Sequence, residues 1–323
     1  MRQLANALKA GQPILIEPIK AKSYIDRVEA IQINSGMKAS DMSEMLSMLF
    51  GDTPKMEVHG DIAFIPIKGV IGSNLSAVEK MMGAVDIDDV KGWLKTAEED
   101  EKVKRVVLEV DSVGGTVTGV PEVANLIKRI GASKHTMAYT EGDACSAAYW
   151  LASQCNEFYA TPSATVGSVG VYVSMPDFTQ AFANEGVRME VIKAGKYKAS
   201  GLEGTSLSDE QRQHIQDDVN EIHEDFKNAV KGVRTEVTDD KMEGQCFSGK
   251  KAAGHLMVTA LAEGMDEALA ASNELFGLLE EDEKEHQKHE DSETPEEEKK
   301  EHEAKSEEKG EDEKNESDKE DNK

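Results

Sequence analysis

The chain has 323 residues, of which 63 are acidic and 37 are basic, so its formal net charge is −26. This length is sufficient for one large domain with appendages. The acidic excess argues against nucleic acid as a partner of the whole chain.

Three further observations bound the class of protein. The cysteines, Cys145, Cys155 and Cys246, have no paired spacing, which argues for a reducing compartment and against a disulfide framework. No apolar run approaches the ~18 residues of a membrane span. The first residues lack the apolar core of a signal peptide. We therefore expect a protein without a membrane span that is made and used in the cytoplasm.

The first 54 residues are predicted to form a helical N-terminal extension. Residues 42–50 are rich in Met and Leu at helical spacing, which is typical of a packing or assembly surface. From residue 55 the pattern changes to strands around Gly60. We place the start of the main domain there, and its end at residue 279.

Strands and helices then alternate. Helices are predicted at 86–99, where Asp86 can cap the first turn, and at 120–130. Strands are predicted at 104–110, 137–140 and 157–161, and a helix begins near Ser146. Such alternation favours a mostly parallel α/β core.

The second half of the domain contains a long helix. Ser208 and Gln211 have the spacing of a capping box, and the apolar stripe that follows must be buried against the core or a neighbouring subunit. Before it, strands are predicted at 169–174 and 189–192 and a helix at 177–184. Residues 280–323 contain 22 acidic residues and 9 lysines, a net charge of −13, and no apolar face. This tail is predicted to be disordered.

The stretch 142–150 has the pattern of a strand, a tight turn and a serine at the start of a buried helix. A serine so placed can act as a nucleophile beside helix N–H groups. On this stretch alone, an ordinary helix cap is the better interpretation of Ser146. Two other stretches favour the nucleophile.

The first is Gly114-Gly115, which follows the apolar strand at 104–110. Paired glycines let backbone N–H groups turn outward, as an oxyanion hole requires. The second is the stretch 191–201, which contains Lys193, Lys196 and Lys198. A desolvated lysine can serve a serine as its general base.

These motifs, in this order, resemble the signal peptide peptidase A family of Ser-Lys serine peptidases. Within the family they are most similar to phage capsid-assembly proteases of the lambda protein C type. The Asp-Ser-x-Gly-Gly signature is found at 111–115, with Val113 in place of the usual proline. The nucleophile segment is found at 146–149, the Val-Gly-Ser-Val-Gly-Val signature at 166–171, and Tyr-Lys at 197–198.

The resemblance implies a crotonase/Clp-protease-like superhelix of repeated strand-strand-helix units, a homo-oligomeric ring and active sites shared between subunits. It assigns Ser146 as nucleophile, Lys198 as general base and the N–H groups of Gly114 and Gly115 as the oxyanion hole. Ser168 is the residue that orients the lysine, although a turn serine fits its sequence equally well. It also implies portal, scaffold and capsid proteins as partners, and a location in the host cytoplasm or the phage prohead.

Rival chemistries have less support. None of the eight histidines falls between Ser146 and the Lys198 segment, where a Clp-type triad would have one. No histidine pair has metal-site spacing, so neither a metal nor a cofactor is expected. Gly195-Lys196 lacks the Ser/Thr of a phosphate-binding loop. Two alternatives remain, a soluble peptide-degrading enzyme of the signal peptide peptidase type and a non-peptidase crotonase-like or structural homologue.

Overall fold

The computed structural model describes residues 14–16, 53–274 and 277. The chain divides into two compact units, Met1–Leu269 and Ala270–Lys323. The acidic tail predicted for 280–323 lies outside the described residues, as does most of the N-terminal extension. Within that extension residues 14–16 form a strand, so the helical prediction does not hold for these three.

The largest sheet is six-stranded and nearly all parallel. Its four central strands are largely buried, as strands of a parallel sheet covered on both faces are. Only the edge strand at 57–59 is antiparallel to its neighbour. In order across the sheet the strands are β13 (Ala260–Leu261), β10 (Glu157–Ala160), β8 (His135–Thr140), β6 (Arg105–Asp111), β3 (Ile62–Lys68) and β2 (Glu57–His59).

Each long strand is followed by a short strand that joins a second layer. These short strands are β4 (Val70–Gly72), β7 (Gly114–Thr116), β9 (Asp143–Cys145) and β11 (Thr165–Gly167). They lie in two smaller sheets, with orders β1-β7-β4-β5 and β12-β11-β9, which also include β1 (Ile14–Ile16), β5 (Ala84–Asp86) and β12 (Cys246–Ser248). The chain therefore leaves the large sheet at the end of each of these long strands and bends into one of the smaller sheets.

A helix follows the short strand in three of these units and covers the sheets. The three helices are α2 (Ile87–Glu99), α3 (Val120–Ile130) and α4 (Ala147–Ala152), and the first unit also contains α1 (Ala77–Met81). Asp86 caps α2 by accepting a hydrogen bond from Asp88 N–H, as predicted. The repeated strand-strand-helix units confirm the predicted fold class.

The long helix α6 (Asp209–Lys231) begins with the predicted capping box of Ser208 and Gln211. Its C-terminal half packs on the core, where the ring of Phe226 stacks on Trp150 with centroids 4.4 Å apart. Its N-terminal half is half-exposed: Ile215 and Val219 line an open groove opposite residues 171–175. The apolar stripe of α6 is therefore only half covered within the chain.

Residues 174–203, called here the exposed segment, contribute little to the core. Only Met175, Phe182 and Ser200 within it are not exposed. Its one helix is α5 (Thr179–Asn184), which confirms the helix predicted at 177–184. The strands predicted at 169–174 and 189–192 do not form in this described part of the chain: the first stretch contains a single bridge residue, Tyr172, and the second is exposed and irregular.

The chain completes the domain after α6 with short elements. A 3₁₀ turn at Asp239–Lys241 precedes β12, and α7 (Gly249–Gly254) leads to β13 at the edge of the large sheet. The β12 strand pairs antiparallel with β11.

Candidate active site

Ser146 occupies a strained corner between β9 and α4. Its φ and ψ are 55° and −118°, a conformation that a non-glycine residue adopts rarely, at a cost of about 1–3 kcal/mol. The residue is 1% exposed, and its side chain makes no helix-cap hydrogen bond. Its Oγ has no hydrogen-bond partner among the described residues. This geometry excludes the ordinary capping role and is typical of a presented nucleophile.

The backbone around Ser146 fixes this corner from both sides. Ser146 N–H donates to the carbonyl of Gly167 at 2.8 Å, and the Ser146 carbonyl accepts from Trp150 N–H at 2.9 Å. The flanking residues Cys145 and Ala147 are fully buried. The strain is therefore held in place by the parallel pairing of β9 with β11 and by the buried helix α4.

The neighbouring cysteines do not have the properties of a nucleophile. Cys145 is buried, and its Sγ donates to the carbonyl of Thr165 at 3.6 Å. Burial raises the pKa of the Cys155 thiol to about 12, so it stays protonated at neutral pH.

Ser168 lies next to the Ser146 corner. The register of β9 and β11 pairs Cys145 with Gly167, so the next residue of each strand is Ser146 and Ser168. Ser168 is 7% exposed and also has a positive φ, 54°. Its N–H donates to the carbonyl of Gln245 at 2.7 Å, which anchors the corner. The structure therefore brings the two serines together at the backbone level.

The glycine pair lies on the other side of Ser146. Ser112 forms a parallel bridge with Ala144, and two residues further along each segment come Gly114 and Ser146. Gly115 has no room for a side chain, since a Cβ would lie 1.8 Å from the carbonyl oxygen of Ile71. Gly114 has a φ of 98°, which suits glycine.

One contact at the glycine pair was not predicted from the sequence. The Oγ of Ser112 accepts a hydrogen bond from Gly114 N–H at 3.1 Å. Ser112 is buried and belongs to the same signature as the glycines. It holds Gly114 N–H in this conformation, so a role of that N–H in binding an oxyanion requires the Ser112 hydroxyl to release it. The place of Ser112 in the Asp-Ser-x-Gly-Gly signature was the available signal.

The three candidate lysines lie in the exposed segment. Lys193 Nζ donates to the carbonyl of Lys196 at 2.9 Å, and Lys196 forms an exposed ion pair with Glu210 at 3.4 Å. Hydrogen bonding to Tyr197 and then to Glu210 raises the pKa of Lys196, the opposite of what a neutral base needs.

Lys198 is exposed in a turn closed by its N–H on the carbonyl of Gly195 at 3.2 Å. The single chain does not bring Lys198 and Ser146 into hydrogen-bonding contact, because Ser146 Oγ has no partner among the described residues. Within one chain Lys198 is not desolvated either. The predicted pair of Ser146 and Lys198 is therefore not formed within this single chain.

The described residues hold no group of three or more His, Cys, Asp or Glu side chains arranged to bind a metal ion. None of the helices in the described part of the chain combines the length and apolarity that crossing a bilayer requires.

In comparison with known proteins, one family profile matches the part of the chain that contains Ser146. The profile of peptidase family S49 matches residues 115–278, about half of the chain. This match includes Ser146, Ser168 and Lys198.

Two phage proteins are among the similar relatives. The head-tail preconnector protein GP5 of Enterobacteria phage P21 is 28% identical over 249 residues, covering 71% of this chain and 49% of that protein. The capsid assembly protease C of Escherichia phage lambda is 27% identical over 273 residues, covering 79% of this chain and 62% of that protein. The chain thus spans about half to three-fifths of the length of these relatives.

Among solved structures, the chain is similar to a ClpP1 variant from Listeria monocytogenes. The two share 13% identity, the match covers 63% of this chain and 93% of the other, and the TM-score is 0.41.

Proposed function

Because the chain belongs to peptidase family S49, we propose that it is a serine endopeptidase with Ser146 as its nucleophile. The observation that carries this proposal is the geometry of Ser146. A buried serine with a positive φ and an unpartnered Oγ destabilises the fold. Such strain is found mainly at functional sites. Along the backbone, Gly114 and Ser168 lie on the two segments that flank this corner.

The proposed reaction is acyl transfer followed by hydrolysis. Lys198 takes the proton from Ser146 Oγ as the oxygen attacks the carbonyl carbon, and gives it to the leaving amine. The N–H groups of Gly114 and Gly115 stabilise the oxyanion, and Ser168 orients the lysine. Water then attacks the acyl-enzyme, with Lys198 again as base, which releases the acid and restores Ser146.

Lys198 is proposed to come from a neighbouring copy in a homo-oligomeric ring. The segment that carries it exposes large apolar side chains, among them Ile192 at 96%, Tyr197 and Phe178. Such a cluster is typical of a protein–protein contact. Burial of this segment against a second copy removes water from around the Lys198 amine, as a general base of this kind requires. Assembly thus completes the site and activates the base at once.

The natural role is proposed to be head maturation in a phage or prophage. Its support is the similarity to the phage P21 and lambda proteins. The substrates are then scaffold and capsid proteins, with the portal as a further partner, and the place of action is the host cytoplasm or the prohead. Maturation of co-expressed scaffold and capsid proteins by wild-type chain, and not by Ser146→Ala, tests this role.

The enzyme proposal is tested by a matched pair of substitutions at adjacent positions. Ser146→Ala is expected to reduce peptide hydrolysis by about 10⁴-fold or more and to abolish fluorophosphonate labelling, because the attacking oxygen is gone. Cys145→Ser changes one atom at a buried neighbour and is expected to leave labelling intact. Loss of labelling in the cysteine variant alone would place the nucleophile at Cys145.

A further inference from the structure

The strand β1 pairs with β7, the strand that contains Gly114 and Gly115. It forms the edge of its sheet and pairs antiparallel with β7, with Ile14 opposite Thr116, Leu15 opposite Gly115 and Ile16 opposite Gly114. Three consecutive residues from a distant part of the sequence therefore cover the backbone edge of the glycine pair.

The covered edge leads to Ser146. The Ser112–Ala144 bridge puts Gly114 and Ser146 at equal distance along two parallel segments, and α4, which begins just after Ser146, contacts β7. Because β1 runs antiparallel to β7, its chain proceeds from Thr116 toward Gly114, that is, toward the serine. An extended peptide that binds β7 in this direction delivers the carbonyl side of its chain to Ser146.

From this placement we infer that residues 14–16 are an intramolecular ligand of the peptide-binding edge of β7 and compete there with substrate. This inference rests on the proposed peptidase function. Addition of a strand to an open sheet edge is a general way of binding extended peptides, and it uses backbone hydrogen bonds that any sequence can supply. The edge of β7 can hold β1 or a substrate strand, but not both.

The sequence limits how tightly β1 can hold. Pro13 and Pro18 bracket the segment, and a proline has no N–H to donate to a neighbouring strand. Neither proline can donate a hydrogen bond to β7, and the pairing that the structure describes is three residues long. A strand this short is displaced more readily than a longer one, so β1 acts as a competitor rather than a permanent part of the sheet.

The first test removes the pairing. Successive residues of a strand direct their N–H groups to opposite sides, so one of Leu15 and Ile16 faces β7. Leu15→Pro with Ile16→Pro removes that donor, whereas Leu15→Val with Ile16→Val is the matched control that keeps it. Both pairs are made in the Ser146→Ala chain. Binding of a dye-labelled peptide with the sequence of residues 12–18 is followed by fluorescence anisotropy.

The proline pair is expected to bind the peptide about tenfold more tightly than the valine pair. A gain of this size corresponds to a β7 edge that is free of β1 in about one-tenth of the valine molecules and in all of the proline molecules. Equal affinity, or weaker binding by the proline pair, overturns the inference. Hydrolysis is measured separately in chains that keep Ser146. Tighter binding without hydrolysis in any chain contradicts the proposed function alone, and hydrolysis with equal affinity contradicts the inference alone.

A second variant does not depend on tolerance of proline. Paired residues have Cα atoms about 4.5–5.5 Å apart, a separation that suits a disulfide. Ile14→Cys with Thr116→Cys, in a Ser146→Ala and Cys246→Ser chain, is expected to form a bond that locks β1 on β7. Peptide affinity should then rise about tenfold or more on reduction of the same sample. Failure of the bond to form, or equal affinity before and after reduction, overturns the inference.

Discussion

Residues 62–167 and the exposed segment, residues 174–203, carry the two groups of the proposed dyad and are built in contrasting ways. In the first region, strand-strand-helix units enclose an apolar core, and Ser146 is 1% exposed. In the second, apolar residues such as Ile192 point to solvent. The first region completes its packing within one chain, whereas the second leaves large apolar side chains exposed. The difference supports the proposal that folding alone prepares the nucleophile, whereas assembly supplies the base.

The largest effect expected from the second region is at Lys198. Lys198→Met should reduce peptide hydrolysis by about 10⁴-fold, because it removes the base while keeping the length of the side chain. Lys193→Met and Lys196→Met are the matched controls, since both residues already bond elsewhere in the exposed segment. Equal loss at Lys196 would transfer the role of base away from Lys198.

A smaller effect is expected at the apolar surface of the exposed segment. Ile192→Asp should lower activity by about 10²-fold and shift the protein to smaller species in analytical ultracentrifugation, because a buried unpaired carboxylate opposes association. Val58→Asp, at an exposed strand residue of the large sheet, is the control and should leave the assembly intact. An Ile192→Asp protein that assembles normally would show that this side chain lies outside the interface.

The smallest effect on chemistry, and the clearest on stability, is expected in the core. Phe226→Ala removes the ring stacked on Trp150 and should reduce the free energy of unfolding by about 3–5 kcal/mol. Tyr197→Ala, in the exposed segment, should change the melting temperature of the subunit little, because the residue is 42% exposed and lies outside the core. Similar losses at the two positions would remove the contrast between the regions.

The sequence was sufficient where local patterns decide the structure. Helix α3 was predicted with its observed bounds, because one face is apolar, proline stands at its start and glycine follows its end. The capping box at Ser208 was equally readable. The motif order also led to Ser146, Gly115 and Ser168, which the structure gathers in one place.

The sequence was insufficient where the structure depends on contacts between segments that are distant in the chain. The apolar stretch 189–192 looked like a strand but does not form one. The three-residue strand β11 was too short to recognise, although its pairing with β9 sets Ser168 beside Ser146. The same limit applies to β1, whose partner is about a hundred residues away. The strain at Ser146 and the contact of Gly115 with Ile71 arise only when separate units pack together.

The central claim, that one subunit supplies the serine and another the lysine, is tested most directly by mixing two inactive chains. Ser146→Ala and Lys198→Met proteins are dissociated, mixed and reassembled, and hydrolysis of a fluorogenic peptide is measured against each protein reassembled alone. A shared site pairs the intact serine of one chain with the intact lysine of the other, so the mixture should regain a substantial fraction of wild-type activity. A mixture that assembles but stays as inactive as its components would contradict the shared site.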